Sequence, residues 1–274
     1  MKKILIIGGS GLIGKKLKKN LKNKYKLIAP KRGKNFDIRK ISTLKKYINE
    51  SVDVIINLSG QASDKKKMHK TIIVGNENII NLLRKLNKKI LIIYFSTNLV
   101  YGYSNKILNE KSKTNPFDFY SKYKLKAEKN YERSNLNYLI LRLGNIYDNI
   151  KKEKNVLSNI YNSIKKNNKL HITNLKVYRN YISLDELINI IQKILSKRLN
   201  EKIYNVGNEN LNLYNIIKLF EKIYQKKIIF INQAIKIEKL SSQKIDTSKI
   251  LLELNMRLKN KMYKYIENYK KNES

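Results

Sequence analysis

Short, wholly apolar runs alternate along the first half of the chain with stretches whose apolar residues recur every three or four positions. Lys3–Ile7, Tyr25–Ala29, Val52–Leu58, Ile90–Phe95 and Tyr138–Leu143 read as strands. Leu12–Leu21, Ser42–Asn49, a segment within His69–Leu86, and Phe119–Ser134 read as helices. Strands that are apolar on both faces and separated by helices predict a parallel sheet covered on both sides. The first strand begins at once, so no leader domain is expected.

After about Tyr147 the alternation loosens. Asn155–Lys166, Leu184–Ser196, Leu213–Tyr224 and about Asn260–Lys270 read as helices, Lys202–Val206 and Ile228–Ile231 as strands. The reading is one α/β domain over 1–147, with 179–196 returning to it, and a smaller α/β part over 148–274. No linker rich in proline or glycine divides them, since the chain has two prolines.

Composition narrows the chemistry more than the fold. The 274 residues include no cysteine and two histidines, His69 and His171, so thiol chemistry is excluded and no metal site is expected. No apolar run is long enough to span a bilayer. Glycines at 8, 9, 11 and 14 interrupt the first apolar stretch, so no export signal is expected and a cytoplasmic location fits. The net charge of +38 comes mostly from lysine spread from end to end, and Lys, Asn and Ile fill almost half the chain. That bias predicts weak, salt-dependent attraction to polyanions, and no specific nucleic-acid partner.

Gly8-Gly9-Ser10-Gly11-Leu12-Ile13-Gly14 follows the first strand and opens the first helix. A glycine turn at that place lets the backbone, from Gly8 through Ser10 to Gly14, approach a pyrophosphate at the helix N-terminus. The G-x-x-G-x-x-G spacing is shifted from the G-x-G-x-x-G dinucleotide fingerprint, and the strand–turn–helix context is what points to a dinucleotide. The second strand runs into Pro30-Lys31-Arg32 without a carboxylate. Lys31 and Arg32 suit the 2′-phosphate of NADP better than the bare ribose of NAD, so NADPH is favoured and NAD kept open.

The fourth strand runs into Ser96-Thr97, which puts a hydroxyl where ligands sit on open α/β sheets. Tyr120 and Lys124 lie four apart on the next helix and share a face. A phenol with a pKa of about 10 is a poor acid or base near pH 7, and an adjacent ammonium is expected to lower it. The reading makes Tyr120 the acid/base, Lys124 its partner and the holder of the nicotinamide ribose, and Thr97 the ligand of the reacting oxygen.

These features resemble the extended short-chain dehydrogenase/reductase family, the epimerase/dehydratase type that modifies nucleotide-activated sugars. Ser96-Thr97-Asn98-Leu99-Val100-Tyr101-Gly102 is similar to the family's S-[ST]-x-x-V-Y-G, and Asn115-Pro116 followed by Tyr120-Ser121-Lys122-Tyr123-Lys124 to N-P-x-x-x-Y-x-x-S-K. Leu141–Tyr147 and Arg179–Asp185 resemble L-R-x-x-N-V-Y-G and R-D-[FY]-I-x-V-x-D. The resemblance implies a Rossmann-type doubly wound sheet, adenine contacts from Asp37 and Ile38, cofactor contacts from Leu58, Ser59 and Gly60, and substrate contacts from Asn145 and Arg179. It also implies a homodimer. Asp185 is expected to cap the helix that follows it.

Three positions depart from the pattern: Tyr123 stands before the lysine in place of Ser, Ile72 replaces an Asn, and Asp148 a Gly. Dehydratases of the family carry Thr-Asp-Glu where this chain has Thr97-Asn98-Leu99, and GDP-fucose synthases epimerise with a cysteine. The resemblance therefore implies a nucleotide-sugar 4-ketoreductase, with an NAD-dependent 4-epimerase as the alternative and a non-catalytic dinucleotide-binding module as a further one.

Overall fold

Ile4, Leu5, Ile6 and Ile7 offer no polar side chain to either face, so the strand they form is stable only between two layers. The structure is a computed structural model. It describes residues 1–60, 64–150, 155–166, 169–172, 174–197, 199–200, 202–232, 242–259 and 261–273. These divide into two compact units, the first comprising Met1–Gly102, Lys113–Leu143 and Ile190–Tyr204.

In the first unit, β1 (Lys3–Ile7) lies between β2 (Lys26–Ile28) and β3 (Val54–Asn57), and β4 (Leu91–Thr97) and β6 (Tyr138–Leu143) continue from β3. All four of these pairings are parallel. β10 (Ile203–Val206) completes a six-stranded sheet of order β2-β1-β3-β4-β6-β10. The chain leaves β1 toward one edge and then continues on the other side of it. Connections that diverge in this way open a crevice beyond the carboxyl ends of the strands, and the glycine turn, Leu58–Gly60 and Thr97 fall at such ends. The strand β5 (Ile107–Leu108) belongs to the second unit.

The helices α1 (Leu12–Leu21), α2 (Ile41–Leu44), α3 (Lys65–Met68), α4 (Gly75–Leu83) and α5 (Phe119–Glu132) connect these strands. Leu5, Ile7, Ile55, Ile92, Tyr94 and Ile140 from the sheet pack with Ile72, Ile79, Ala127 and Tyr131 from the helices. Between α3 and α4 the backbone widens into a π-turn over His69–Val74. Buried Asn76 closes this segment: its amide donates to the carbonyl of Ile72 at 2.5 Å, and its oxygen accepts from Asn57 at 2.8 Å and from the Tyr131 hydroxyl. Ile72, the departure from the family pattern, is itself fully buried, and its carbonyl is the one Asn76 satisfies.

The second unit comprises Tyr103–Ser112, Gly144–Asn189 and Asn205–Ser274. Its strands are short: β7 (Asn145–Tyr147), β8 (Leu170–Ile172), β9 (Tyr178–Ser183), β11 (Glu209–Asn212), β12 (Phe230–Asn232) and β13 (Lys244–Ile245). β9 pairs in parallel with β7 and antiparallel with β11, while β8 pairs with β12 and β5 with β13. The helices α6 (Val156–Lys166), α8 (Leu213–Tyr224) and α10 (Met262–Lys271) enclose Leu157, Ile160, Ile216, Phe220, Met262 and Ile266; α9 (Ser248–Glu253) is short. Helix α7 (Leu184–Ser196) is capped by Ser183, whose hydroxyl accepts from the Glu186 amide at 3.2 Å. Asp185 therefore sits inside the first turn and is not the cap expected from sequence, because the helix begins one residue before it.

Candidate active site

The turn after β1 closes on itself by a hydrogen bond from the Gly11 amide to the Gly8 carbonyl at 3.0 Å. Gly8 has φ of +84°, a conformation that L side chains rarely adopt. A Cβ on Gly14 would lie 2.5 Å from Gly9 Cα and 2.6 Å from the Gly8 oxygen, so only hydrogen fits where α1 meets the turn. Gly11 is the N-cap of α1; no side chain caps it, and the first turn carries no acidic residue. Ser10, Gly11 and Leu12 are exposed, and Ile13 is half-buried. An uncapped helix start with exposed backbone and no competing carboxylate fits a pyrophosphate.

Beyond β2, Arg32 and Asp37 meet a third charged residue that sequence reasoning passed over. Arg39 forks onto Asp37, its Nε 2.9 Å from each carboxylate oxygen and its terminal nitrogen 2.5 Å from one, while Arg32 stands 3.9 Å away. The Arg39 hydrogen bond holds the Asp37 carboxyl below its ordinary range. The guanidinium groups of Arg32 and Arg39 against one carboxylate leave this corner positive, with Lys31 exposed beside it. Ile38 is buried against Gly75, where an added Cβ would lie 2.5 Å from its Cδ1.

At the end of β3, Asn57 accepts from the Ser59 amide at 3.0 Å and shapes the turn through Leu58, Ser59 and Gly60. The Ser59 hydroxyl oxygen is buried and has no hydrogen-bond partner among the described residues. At the end of β4, the Thr97 hydroxyl accepts from the Leu99 amide at 3.3 Å and starts a short 3-10 turn over Asn98–Tyr101. Asp118 caps α5, accepting from the Ser121 amide at 2.7 Å, and this start sets Tyr120 and Lys124 on one helix face.

Lys124 is buried and donates to the backbone carbonyls of Phe95 at 2.7 Å and Ser59 at 3.1 Å. It thereby ties α5 to the ends of β3 and β4. A Cβ placed on Gly60 would lie 3.2 Å from the Lys124 nitrogen and 3.9 Å from the Tyr120 hydroxyl, so the two groups converge beside that glycine. Burial pushes Lys124 down to about 7, against the opposing charge of Glu128. Burial, with the Asp118 charge, pushes Tyr120 up to about 12. The sequence had suggested a lowered phenol. The difference comes first from burial, which disfavours the charged phenolate, while the ammonium is turned to two carbonyls and lies 5.8 Å from the centre of the Tyr120 ring. Tyr123 packs edge-on against His69, with ring centres 5.4 Å apart.

Asn145 and Arg179 belong to the second unit. Asn145 opens β7 and is exposed, opposite Tyr181 in the register with β9. Arg179 donates to the Tyr178 carbonyl at 2.8 Å and lies over the Tyr103 ring at 5.2 Å.

The sequence profile of the NAD-dependent epimerase/dehydratase family matches residues 4–207. The chain belongs to that family. A dTDP-D-glucose 4,6-dehydratase from Dictyostelium discoideum is 27% identical over 259 residues, covering 76% of this chain and 59% of the relative, so the chain spans less than two thirds of that protein's length. Among solved structures, RMD from Pseudomonas aeruginosa complexed with NADPH has a TM-score of 0.82 at 19% identity and covers 97% of both chains. A dTDP-4-dehydrorhamnose reductase from Clostridium acetobutylicum has a TM-score of 0.82 at 18% identity, covering 98% of this chain and 99% of the other. A UDP-glucuronic acid 4-epimerase from Bacillus cereus with UDP-glucuronic acid and NAD has a TM-score of 0.79 at 19% identity, covering 99% and 100%. At these identities the solved structures establish a shared fold. For this member of the epimerase/dehydratase family, no helix among the described residues is long and apolar enough to cross a membrane.

Proposed function

We propose that this chain is a nucleotide-sugar 4-ketoreductase that uses NADPH. The observation that carries the proposal is the convergence of the Tyr120 hydroxyl and the Lys124 ammonium beside Gly60, at the carboxyl ends of β3 and β4. The glycine turn would hold the pyrophosphate, Lys31 and Arg32 the 2′-phosphate, Asp37, Ile38 and Leu58 the adenosine half, and Ser59, Gly60 and Lys124 the nicotinamide half. Bound there, the dinucleotide would supply the hydride.

The chain's own groups then supply the proton. A phenol at about 12 is protonated at neutral pH, which is the form that reduction of a carbonyl demands. Tyr120 gives its proton to the carbonyl oxygen as C4 is reduced, Thr97 hydrogen-bonds that oxygen, and the ammonium of Lys124 stabilises the phenolate left behind. An epimerase would need Tyr120 to begin as a base, the form its burial disfavours. Removal of water would need an acid/base pair after Thr97, where Asn98 and Leu99 bring no carboxyl group. Asn145 and Arg179 are assigned to the sugar and its diphosphate, and the working form to a homodimer.

Denaturing freshly purified protein and identifying any released nucleotide tests the reading. An empty protein that then binds NADPH and reduces a 4-keto nucleotide sugar is expected. Near-stoichiometric NAD would overturn it in favour of an epimerase that recycles its own cofactor.

A further inference from the structure

Helix α5 carries one more ionisable residue on the buried side, and the chemistry above does not use it. Glu128 is fully buried, and its partners Ser96 and Arg142, with Tyr101 beyond Arg142, are each almost so. Its carboxylate accepts from the Ser96 hydroxyl at the end of β4, and from Arg142 on β6 through Nε at 3.1 and 3.2 Å and a terminal nitrogen at 2.6 Å. The other terminal nitrogen of Arg142 donates to the Tyr101 hydroxyl at 2.9 Å, and the guanidinium lies over that ring. One carboxylate thus joins α5, both neighbouring strands and the turn that follows Thr97.

A buried ion pair is a weak source of stability, because desolvation offsets most of the attraction, and apolar side chains of the same volume pack as well. The placement of this pair suggests a second use. Glu128 follows Lys124 by one helical turn, and Ser96 directly precedes Thr97. Facing Lys124 are Tyr94 and the Phe95 carbonyl from β4, the Ser59 carbonyl after β3, and Tyr120 and Glu128 from its own helix. Arg142 of β6 is occupied by Glu128. Of the described groups acting on Lys124, Glu128 is the one that brings negative charge.

We propose that Glu128 is a positioning residue for the Tyr120–Lys124 pair: it fixes α5 against β4 and β6 and favours the ammonium form of Lys124. The inference rests on the oxidoreductase reading above. Burial drives Lys124 down to about 7, and Glu128 is the charge that opposes the fall. Without it, the balance at Lys124 moves further toward the neutral amine, and less ammonium is left to stabilise a Tyr120 phenolate.

The test is the titration of Lys124 in protein labelled with ¹³C-lysine, its resonance assigned by its loss in Lys124→Met. In Glu128→Gln the Lys124 titration moves about one unit toward acid, and turnover at neutral pH falls about ten-fold with its alkaline limb moved by the same amount. Should that variant fail to fold, Glu128→Gln combined with Arg142→Met removes both charges, and the acid shift remains. A purely structural role leaves the Lys124 titration in place in either folded variant, and that result overturns the proposal. Titration of the wild-type chain with NADPH and NADH is read separately: binding of neither overturns the oxidoreductase reading itself.

Discussion

The side-chain nitrogen of Lys124 lies 2.7 Å from the carbonyl oxygen of Phe95, two residues short of Thr97. The lysine therefore contributes to the site twice, as a charge beside Tyr120 and as a strut between α5 and the end of β4. Any substitution at 124 removes both at once, so the two effects need different measurements.

The first is the pH dependence of stability. Lys124 has an ordinary value of 10.5 and a folded value of about 7, so between these values the unfolded chain binds more protons. Stability due to this group therefore rises with pH through that window and is reduced below it. Urea midpoints measured from pH 7 to about pH 9 are expected to rise in the wild type and to be flatter in Lys124→Met. A slope equal in both proteins would show that Lys124 is not desolvated as described.

Tyr120→Phe keeps the ring and removes the proton donor. Turnover on a 4-keto nucleotide sugar is expected to drop by roughly 10²–10⁴, with dinucleotide affinity changed by only a few-fold. An active Phe variant would take the proton-donor role away from Tyr120.

Gly14→Ala forces a methyl group onto Gly9 Cα and the Gly8 oxygen. Because the clash is with backbone, it cannot be relieved by a rotamer change, and about 1–3 kcal/mol of stability should be lost. Dinucleotide affinity should fall with it, read by thermal melts with and without NADPH. A variant with unchanged melting would mean that the turn has room the packing does not show.

Arg32→Ala tests the choice of cofactor. Arg32 is largely exposed and 3.9 Å from Asp37, so its loss leaves the Arg39–Asp37 fork in place. NADPH binding should weaken about ten-fold and NADH binding much less, the expected cost of one charge-assisted contact. Equal weakening of both would assign Arg32 to the fold of the loop.

Periodicity gave Leu12–Leu21, Tyr138–Leu143, Leu184–Ser196 and Leu213–Tyr224 with the ends they have in the structure. Long amphipathic helices and all-apolar strands carry strong signals, and these did. β5, β7, β8, β9, β11 and β13 were not legible: most span only two to four residues, too few for an alternation to show. The π-turn at His69–Val74 was hidden for another reason, since a helix with one wide turn keeps nearly the same apolar spacing. In the site, the spacing of Tyr120 and Lys124 could be read, but the burial that shifts both could not. Arg39 was lost among many basic residues. Glu128 looked like any carboxylate on a lysine-rich helix, and only the fold brings Arg142 to it.

Asn57, Asn76 and Tyr131 lie on three stretches of chain far apart in sequence and satisfy one another in the dry interior. Each is consequently expected to tolerate exchange only together with the other two. A chimera that imports residues 64–83 from a relative without an amide at position 76 would strand two buried polar groups at once, each at roughly 1–3 kcal/mol. Segment exchange within this sheet would succeed only when all three residues travel together, so the useful seams for recombination lie outside the span from Asn57 to Tyr131.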